Sequence, residues 1–458
     1  MALKLVDLAI HPKWLIPIIP RGVVMEDMSV VVKDKVIVEI LPTTEYSSKY
    51  TAKKEVVLKN HVLMPGFINC HTHAAMYLFK SYGDDQPLNE WLQHYIWPME
   101  GKYVNDKFVR DGTSLALAEM IRSGTTCMND MYMCPDEAAK VVDEVGMRAM
   151  IGLMGRDDDG TQTSAIKTLT SGPKYDRVMY AMGPHSTYLY DDKSLCAVGS
   201  VCKRFHVPMH IHMQETKSEL ENSVAGNHEG ANCHRSDQKC SPIANLARLG
   251  LLDGTICAHC VHVLDSDIAL LQKHGASAVH CPRSNLKLGS GLAPVQRMLD
   301  TGVNVCLGTD GASSNNSLDM LSELRTAALI APIAADGDAT AVTAVTALEM
   351  ATINGARALG IEKEVGSVEV GKKADLIAIN LVQLETLPAH NIFSSIVYSA
   401  SRDQVTHVWV DGQMLMEDRK LLTLDMDTLM ESAREWRKTL ALGNPYISGT
   451  EEAYKPPF

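Results

Sequence analysis

Two histidines one residue apart, His71 and His73, close the apolar run Pro65-Gly-Phe-Ile-Asn-Cys-His-Thr-His. In a strand, residues i and i+2 share a face, so both imidazoles can reach one ion. His212 ends a second such run, Val207-Pro-Met-His-Ile-His-Met-Gln-Glu-Thr. His259 lies late in a third, Cys257-Ala-His-Cys-Val-His, and Asp310 ends a fourth, Leu307-Gly-Thr-Asp-Gly. Three imidazoles and one carboxylate suit a single Zn²⁺ with a place left for water, and Fe²⁺ or another divalent ion also accepts such donors. A metal lowers the pKa of its bound water from ~15.7 toward ~7, giving hydroxide at neutral pH. Glu215, three residues after His212, falls just past the strand end, where a carboxyl could shuttle a proton. A lone His-x-His is weak; the common position of these groups at strand ends carries the expectation.

Other candidates are weaker. His210 forms a second His-x-His with His212 but should sit one layer deeper, as a packed core histidine. Cys257 and Cys260 have metal-pair spacing, yet in a strand their thiols face opposite sides. His228, Cys233, His234 and Cys240 fall in a polar segment, 222–241, read as a surface loop rather than a second metal site. The His-x-Glu and Pro-Cys-x-x-Cys pair of the nucleic-acid base deaminases is absent.

What positions the chemistry is a repeated strand–helix pattern. Eight strand-like runs can be counted: Leu63 to His73, Thr125 to Met131, Met147 to Met154, Val178 to His185, Val207 to Gln214, Thr255 to His262, Ala276 to Pro282 and Val303 to Asp310. Amphipathic stretches such as Asp136 to Val145 and Asp265 to His274 follow several of them. Eight parallel strands with crossovers close most naturally into an α/β fold of the (β/α)8 TIM-barrel type. In such a barrel the C-terminal strand ends converge on one mouth, where chemistry takes place. Residues 1–62 and 367–424 are β-rich and should meet as a composite β-sandwich beside a catalytic barrel of residues 63–366. Residues 425–458 supply a C-terminal helix, roughly Asp425 to Leu442, and a tail.

Composition narrows the function classes. A chain of 458 residues, 46% hydrophobic and 21% charged, can bury a large core. Its net charge of −12 and lack of a Lys/Arg run argue against a nucleic-acid partner, because phosphate binding needs a concentrated basic patch. No run approaches the ~18 apolar residues of a membrane span. Eleven scattered cysteines read as free thiols, which places the protein in the cytoplasm.

The quoted runs, together with His280-Cys-Pro-Arg-Ser-Asn and Gly366-Ser-Val-Glu-Val-Gly-Lys-Lys-Ala-Asp-Leu, resemble the amidohydrolase superfamily. Most closely they resemble its 5-methylthioadenosine/S-adenosylhomocysteine deaminases, with triazine hydrolases as near relatives, from about Leu5 to about Leu422. The resemblance implies that His71, His73, His212 and Asp310 hold one metal, since the fourth run, ending Met182-Gly-Pro-His185, has no lysine to bridge a second. It implies that Glu215 protonates the substrate ring and that His259 and Asp310 deprotonate water. It further implies that Glu100 (in Trp97-Pro-Met-Glu-Gly-Lys-Tyr) binds the ribose hydroxyls and His185 contacts the nucleoside. Arg148, or Arg156 nearby, would pair with a substrate carboxylate. The expected reaction is hydrolytic deamination of 5-methylthioadenosine, S-adenosylhomocysteine, 5′-deoxyadenosine or adenosine, with a homo-oligomer as the expected assembly. The alternative is a triazine chlorohydrolase or a guanine- or cytosine-type deaminase using the same metal site. A non-catalytic scaffold is disfavoured by the intact set of six chemical residues.

Overall fold

The computed structural model describes residues 3–155, 161–227 and 239–441. Eight parallel strands form its centre: β1 (Phe67–Thr72), β2 (Thr125–Met131), β3 (Arg148–Leu153), β4 (Val178–Met182), β5 (His210–Met213), β6 (Ile256–His259), β7 (Ser277–His280) and β8 (Asn304–Leu307). Most of their residues are buried on both faces, so these strands show no apolar-in, polar-out alternation. Hydrogen bonding links β1 to β4 and β5 to β8 in order. Parallel bridges Met182↔Met209 and Ser186↔His212 join the two groups, and the Asp310 amide donates to the His71 carbonyl at 3.0 Å to close the ring.

All eight expected strands are present, most of them shorter at their C-terminal ends than the sequence reading. The reason is local: the last residues leave the ladder to turn into the mouth. His259 (φ 72°), Gln214 (φ 48°) and Asp310 (φ 60°) all take left-handed backbone conformations, uncommon for residues with a Cβ and often found at working sites. Outer helices are fixed by ordinary caps. Asn105 accepts from the Phe108 amide ahead of the helix Asp106–Arg122, and Asp191 accepts from the Ser194 amide ahead of Asp192–Phe205.

Both chain ends join in one nine-stranded sheet. At its centre lies Tyr50–Pro65, parallel to Lys4–Leu15 on one side and antiparallel to Leu376–Asn380 on the other. Leu8, Val30, Val56, Leu376 and Trp409, drawn from both ends, share one buried apolar cluster. The run expected from Leu63 to His73 is therefore two strands, split at Gly66. A Cβ at Gly66 would lie 2.1 Å from Thr126 Oγ1, so only glycine lets the end sheet hand the chain to β1 here. The C-terminal helix spans Met426–Ala441, and Trp436 within it packs edge-on against Phe108.

Arg148 requires a correction. It opens β3, at the barrel end opposite the mouth, and is 3% exposed. Its Nε donates to Asp375 Oδ2 (2.8 Å) and its Nη2 to Asp411 Oδ1 (2.6 Å). Asp375 immediately precedes the end-sheet strand Leu376–Asn380, and Asp411 immediately follows Val405–Val410, so this cation joins barrel to end sheet and cannot reach a substrate. Arg156 lies outside the described residues. Removing one partner of a buried ion pair costs about 3–5 kcal/mol. Arg148→Met is expected to lower the unfolding midpoint strongly while leaving turnover per folded molecule unchanged; a normal midpoint with lost turnover would return Arg148 to the site.

Candidate active site

The mouth gathers the predicted donors. Ligand atoms of His71, His73, His212 and Asp310, all buried, lie within 4.8 Å of one another. His73 Nε2 is 3.2 Å from Asp310 Oδ1, His71 Nε2 is 3.4 Å from the same oxygen, and His73 Nε2 is 3.1 Å from His212 Nε2. Donors ~2.0–2.1 Å from a tetrahedral ion stand ~3.3 Å apart, so these edges match a metal-sized centre.

Proton positions test the fit further. His73 Nδ1 donates to the Met131 carbonyl (2.5 Å) and His212 Nδ1 to the His185 carbonyl (2.7 Å). Carbonyls only accept, so in the neutral rings both Nε2 atoms present lone pairs to each other. A cation, either a metal ion or a proton, satisfies that arrangement, and against the effect of burial Asp310 raises the His73 pKa to about 9. His71 Nε2 is likewise buried with no hydrogen-bond partner among the described residues. Burial lowers the His71 pKa to about 4 and holds His212 well below the ordinary range, keeping both neutral as ligands must be. Burial alone would raise the Asp310 carboxyl, but the His71 and His73 imidazoles beside it prevail and hold it ionised.

Glu215 and His259, the groups expected to handle protons, stand beside this quartet. Glu215 Oε2 is 3.8 Å from His259 Nε2, and burial raises the Glu215 pKa against the opposing pull of His259. Gly308 permits the close approach of β8 to β1 behind them: a Cβ there would sit 2.8 Å from the His71 amide.

These groups form the floor of a cleft of about 230 Å³. Its walls are largely apolar, with Trp91, Leu92, Trp97, Met133, Met154 and Leu189 among them. Glu100, on the short helix Trp97–Tyr103, also lines the cleft and accepts from the Tyr132 hydroxyl at 2.8 Å. Burial raises its carboxyl pKa, with the Tyr132 bond opposing. His185, just past β4, stacks on His212 with ring centroids 4.4 Å apart. Burial is the main cause of its lowered pKa of about 3, so it meets a ligand as the neutral ring.

The structure thus brings together His71, His73, His212, Asp310, Glu215, His259, Glu100 and His185, and leaves Arg148 at the far end. His228, Cys233 and His234 lie outside the described residues. Cys257 and Cys260 are both buried, the Cys260 thiol directed at the Cys257 carbonyl. His210, read as core, has a further part: its Nε2 is 2.8 Å from His71 Nδ1 and fixes that ligand's ring. The second His-x-His was the signal for it. Ser284 and Ser314, each 2.6 Å from Asp310 Oδ2, carried no signal of their own.

Residues 62–415 match the amidohydrolase family. A 5-methylthioadenosine/S-adenosylhomocysteine deaminase of Teredinibacter turnerae is 40% identical over 446 residues, covering 95% of this chain and 98% of that one. The crystal structure of an adenosine deaminase from Xanthomonas campestris with bound zinc superposes with a TM-score of 0.92 at 39% identity, over 96% of this chain and all of that one. Atrazine chlorohydrolase from Arthrobacter aurescens, at 20% identity and a TM-score of 0.83 over 94% of this chain and 99% of that one, shares the fold. No helix among the described residues is long and apolar enough to cross a membrane. The chain belongs to the amidohydrolase family.

Proposed function

We propose that this protein hydrolyses the 6-amino group of adenosine-type nucleosides, releasing ammonia and an inosine-type product. The observation that carries the reading is the pairing, within one cleft, of a metal-capable His71/His73/His212/Asp310 floor with Glu100 on the wall. A carboxylate can accept from both hydroxyls of a vicinal diol, which a ribose offers and a triazine does not. Zn²⁺ is the proposed ion, supported by the donor set and by the zinc in the Xanthomonas relative, with Fe²⁺ the alternative. When bound, it supplies Lewis-acid activation of water at neutral pH.

The chain's own residues supply the proton traffic. Glu215 gives its proton to the ring nitrogen next to C6, making that carbon electrophilic. His259 and Asp310 orient the attacking water and accept its proton. As the tetrahedral carbon collapses, the proton on Asp310 passes to the departing amine and the C6 hydroxyl returns its proton to Glu215. His185 would contact the base, and the apolar Trp and Met side chains of the cleft walls suit a methylthio or deoxy substituent. A cytoplasmic location and a homo-oligomer, dimer or tetramer, complete the proposal. The first is supported by ten free cysteines among the described residues, the second by the family resemblance.

Loss of adenine absorbance across a panel of 5′-substituted nucleosides tests the reading, and no turnover of any of them would overturn it. Glu100→Ala is expected to lower kcat/KM for nucleosides about 10- to 100-fold, since hydrogen bonds to a charged group contribute about 1.5–3 kcal/mol. The loss should fall mainly on KM; an unchanged KM would remove Glu100 from the ribose contact.

A further inference from the structure

One stretch of chain, Cys281–Ser290, reaches all three side chains given proton-handling roles. It follows β7 and begins the helix Pro282–Lys287. Ser284 Oγ donates to Asp310 Oδ2 at 2.6 Å. Asn285 Oδ1 is 2.8 Å from His259 Nδ1. Ser290 Oγ donates to Glu215 Oε1 at 3.2 Å. All three are buried, at 0%, 1% and 6% exposure, so these bonds are sheltered from competing water.

The geometry points to Ser284, Asn285 and Ser290 as a positioning clamp that sets which atom of each reactive group faces the substrate. With Asn285 Oδ1 as acceptor, the His259 proton stays on Nδ1 and the Nε2 lone pair is left toward the cleft. That Nε2 has no other hydrogen-bond partner among the described residues. Ser284, with Ser314 from the helix Ala312–Asn315, occupies Asp310 Oδ2 and leaves Oδ1 facing His71 and His73. Ser290 holds one Glu215 oxygen and leaves the other toward His259.

The clamp is itself anchored. Lys287 Nζ donates to Asp84 Oδ1, the Ser313 carbonyl and Asn316 Oδ1, and Arg283 Nε donates to Asn315 Oδ1. The Ser290 amide returns to the Asn285 carbonyl at 2.8 Å. One rigid piece therefore indexes three residues at the ends of three different strands.

The roles rest on the deaminase reading, so the test has an arm that does not. Outer partners of a metal ligand typically contribute 10- to 100-fold in affinity or activity. In the first arm, Ser284→Ala combined with Ser314→Ala should weaken Zn²⁺ binding about 10- to 100-fold in competition with a chromogenic chelator, while Asn285→Leu and Ser290→Ala leave it unchanged. Equal Zn²⁺ affinity in all of them would overturn the clamp whether or not the protein deaminates nucleosides. In the second arm, Asn285→Leu and Ser290→Ala should each lower kcat about 10- to 100-fold with KM within about twofold. Asn285→Asp, which keeps an acceptor, and Ser290→Thr, which keeps the hydroxyl, should recover most of it. A loss shared between kcat and KM, or no recovery by the conservative variants, would mean packing rather than positioning. If wild-type protein turns over no nucleoside, the deaminase reading fails and the Zn²⁺ arm alone decides the clamp.

Discussion

Glu215→Gln is expected to retain the metal and lose about 10³-fold or more in turnover. Glutamine has nearly the same volume and can still accept from Ser290, so the cleft should keep its shape. The main chain there is held independently: Glu219 carboxylate oxygens accept from the Gln214 and Glu215 amides at 3.1 and 2.9 Å. What the substitution removes is the exchangeable proton. General acid–base catalysis contributes typically 10²–10⁴-fold, and here one carboxyl serves the step that makes C6 electrophilic. Stoichiometric metal with near-zero adenine absorbance change is the expected pair of readings. Undiminished turnover would take Glu215 out of the mechanism.

Removing the ion should have an effect at least as large. Dialysis against a strong chelator is expected to abolish turnover, and one equivalent of Zn²⁺ to restore it. The stripped protein should also unfold earlier, because a ligand that binds only the folded state stabilises it. His73 Nε2 and His212 Nε2 face each other at 3.1 Å, with each Nδ1 already committed to a carbonyl. Protonation can relieve that contact, so metal retention should weaken as pH falls and the imidazoles gain protons. Full activity in protein shown by elemental analysis to be metal-free would overturn the proposal.

How much of this was legible in the sequence depended on the range of each signal. The eight barrel strands were readable because burial on both faces leaves mostly small or apolar runs between helix-like stretches, and His71 with His73 because a strand's period of two is local. Strand ends were read too long because the chain runs on past the last paired residue into the mouth, as at Gly183-Pro184 before His185. Arg148 failed for a different reason. Its partners Asp375 and Asp411 lie 227 and 263 residues away, and nothing near it in sequence distinguishes a buried ion pair from a ligand contact. The clamp escaped for the same cause: Ser290 and Glu215 are 75 residues apart, and a serine says little alone. His210 was placed at the right depth, but its bond to His71 needed the barrel closed.

The handover at Gly66 limits how this molecule can be taken apart. From Tyr50 to Thr72 the backbone is extended almost without interruption, passing from the middle of the end sheet directly to His71. The first donor is thus tethered, through one glycine, to strands from both extremities of the polypeptide. Loops at the rim can be exchanged to alter what enters, but a barrel excised by itself would lose the rail on which its first histidine is mounted.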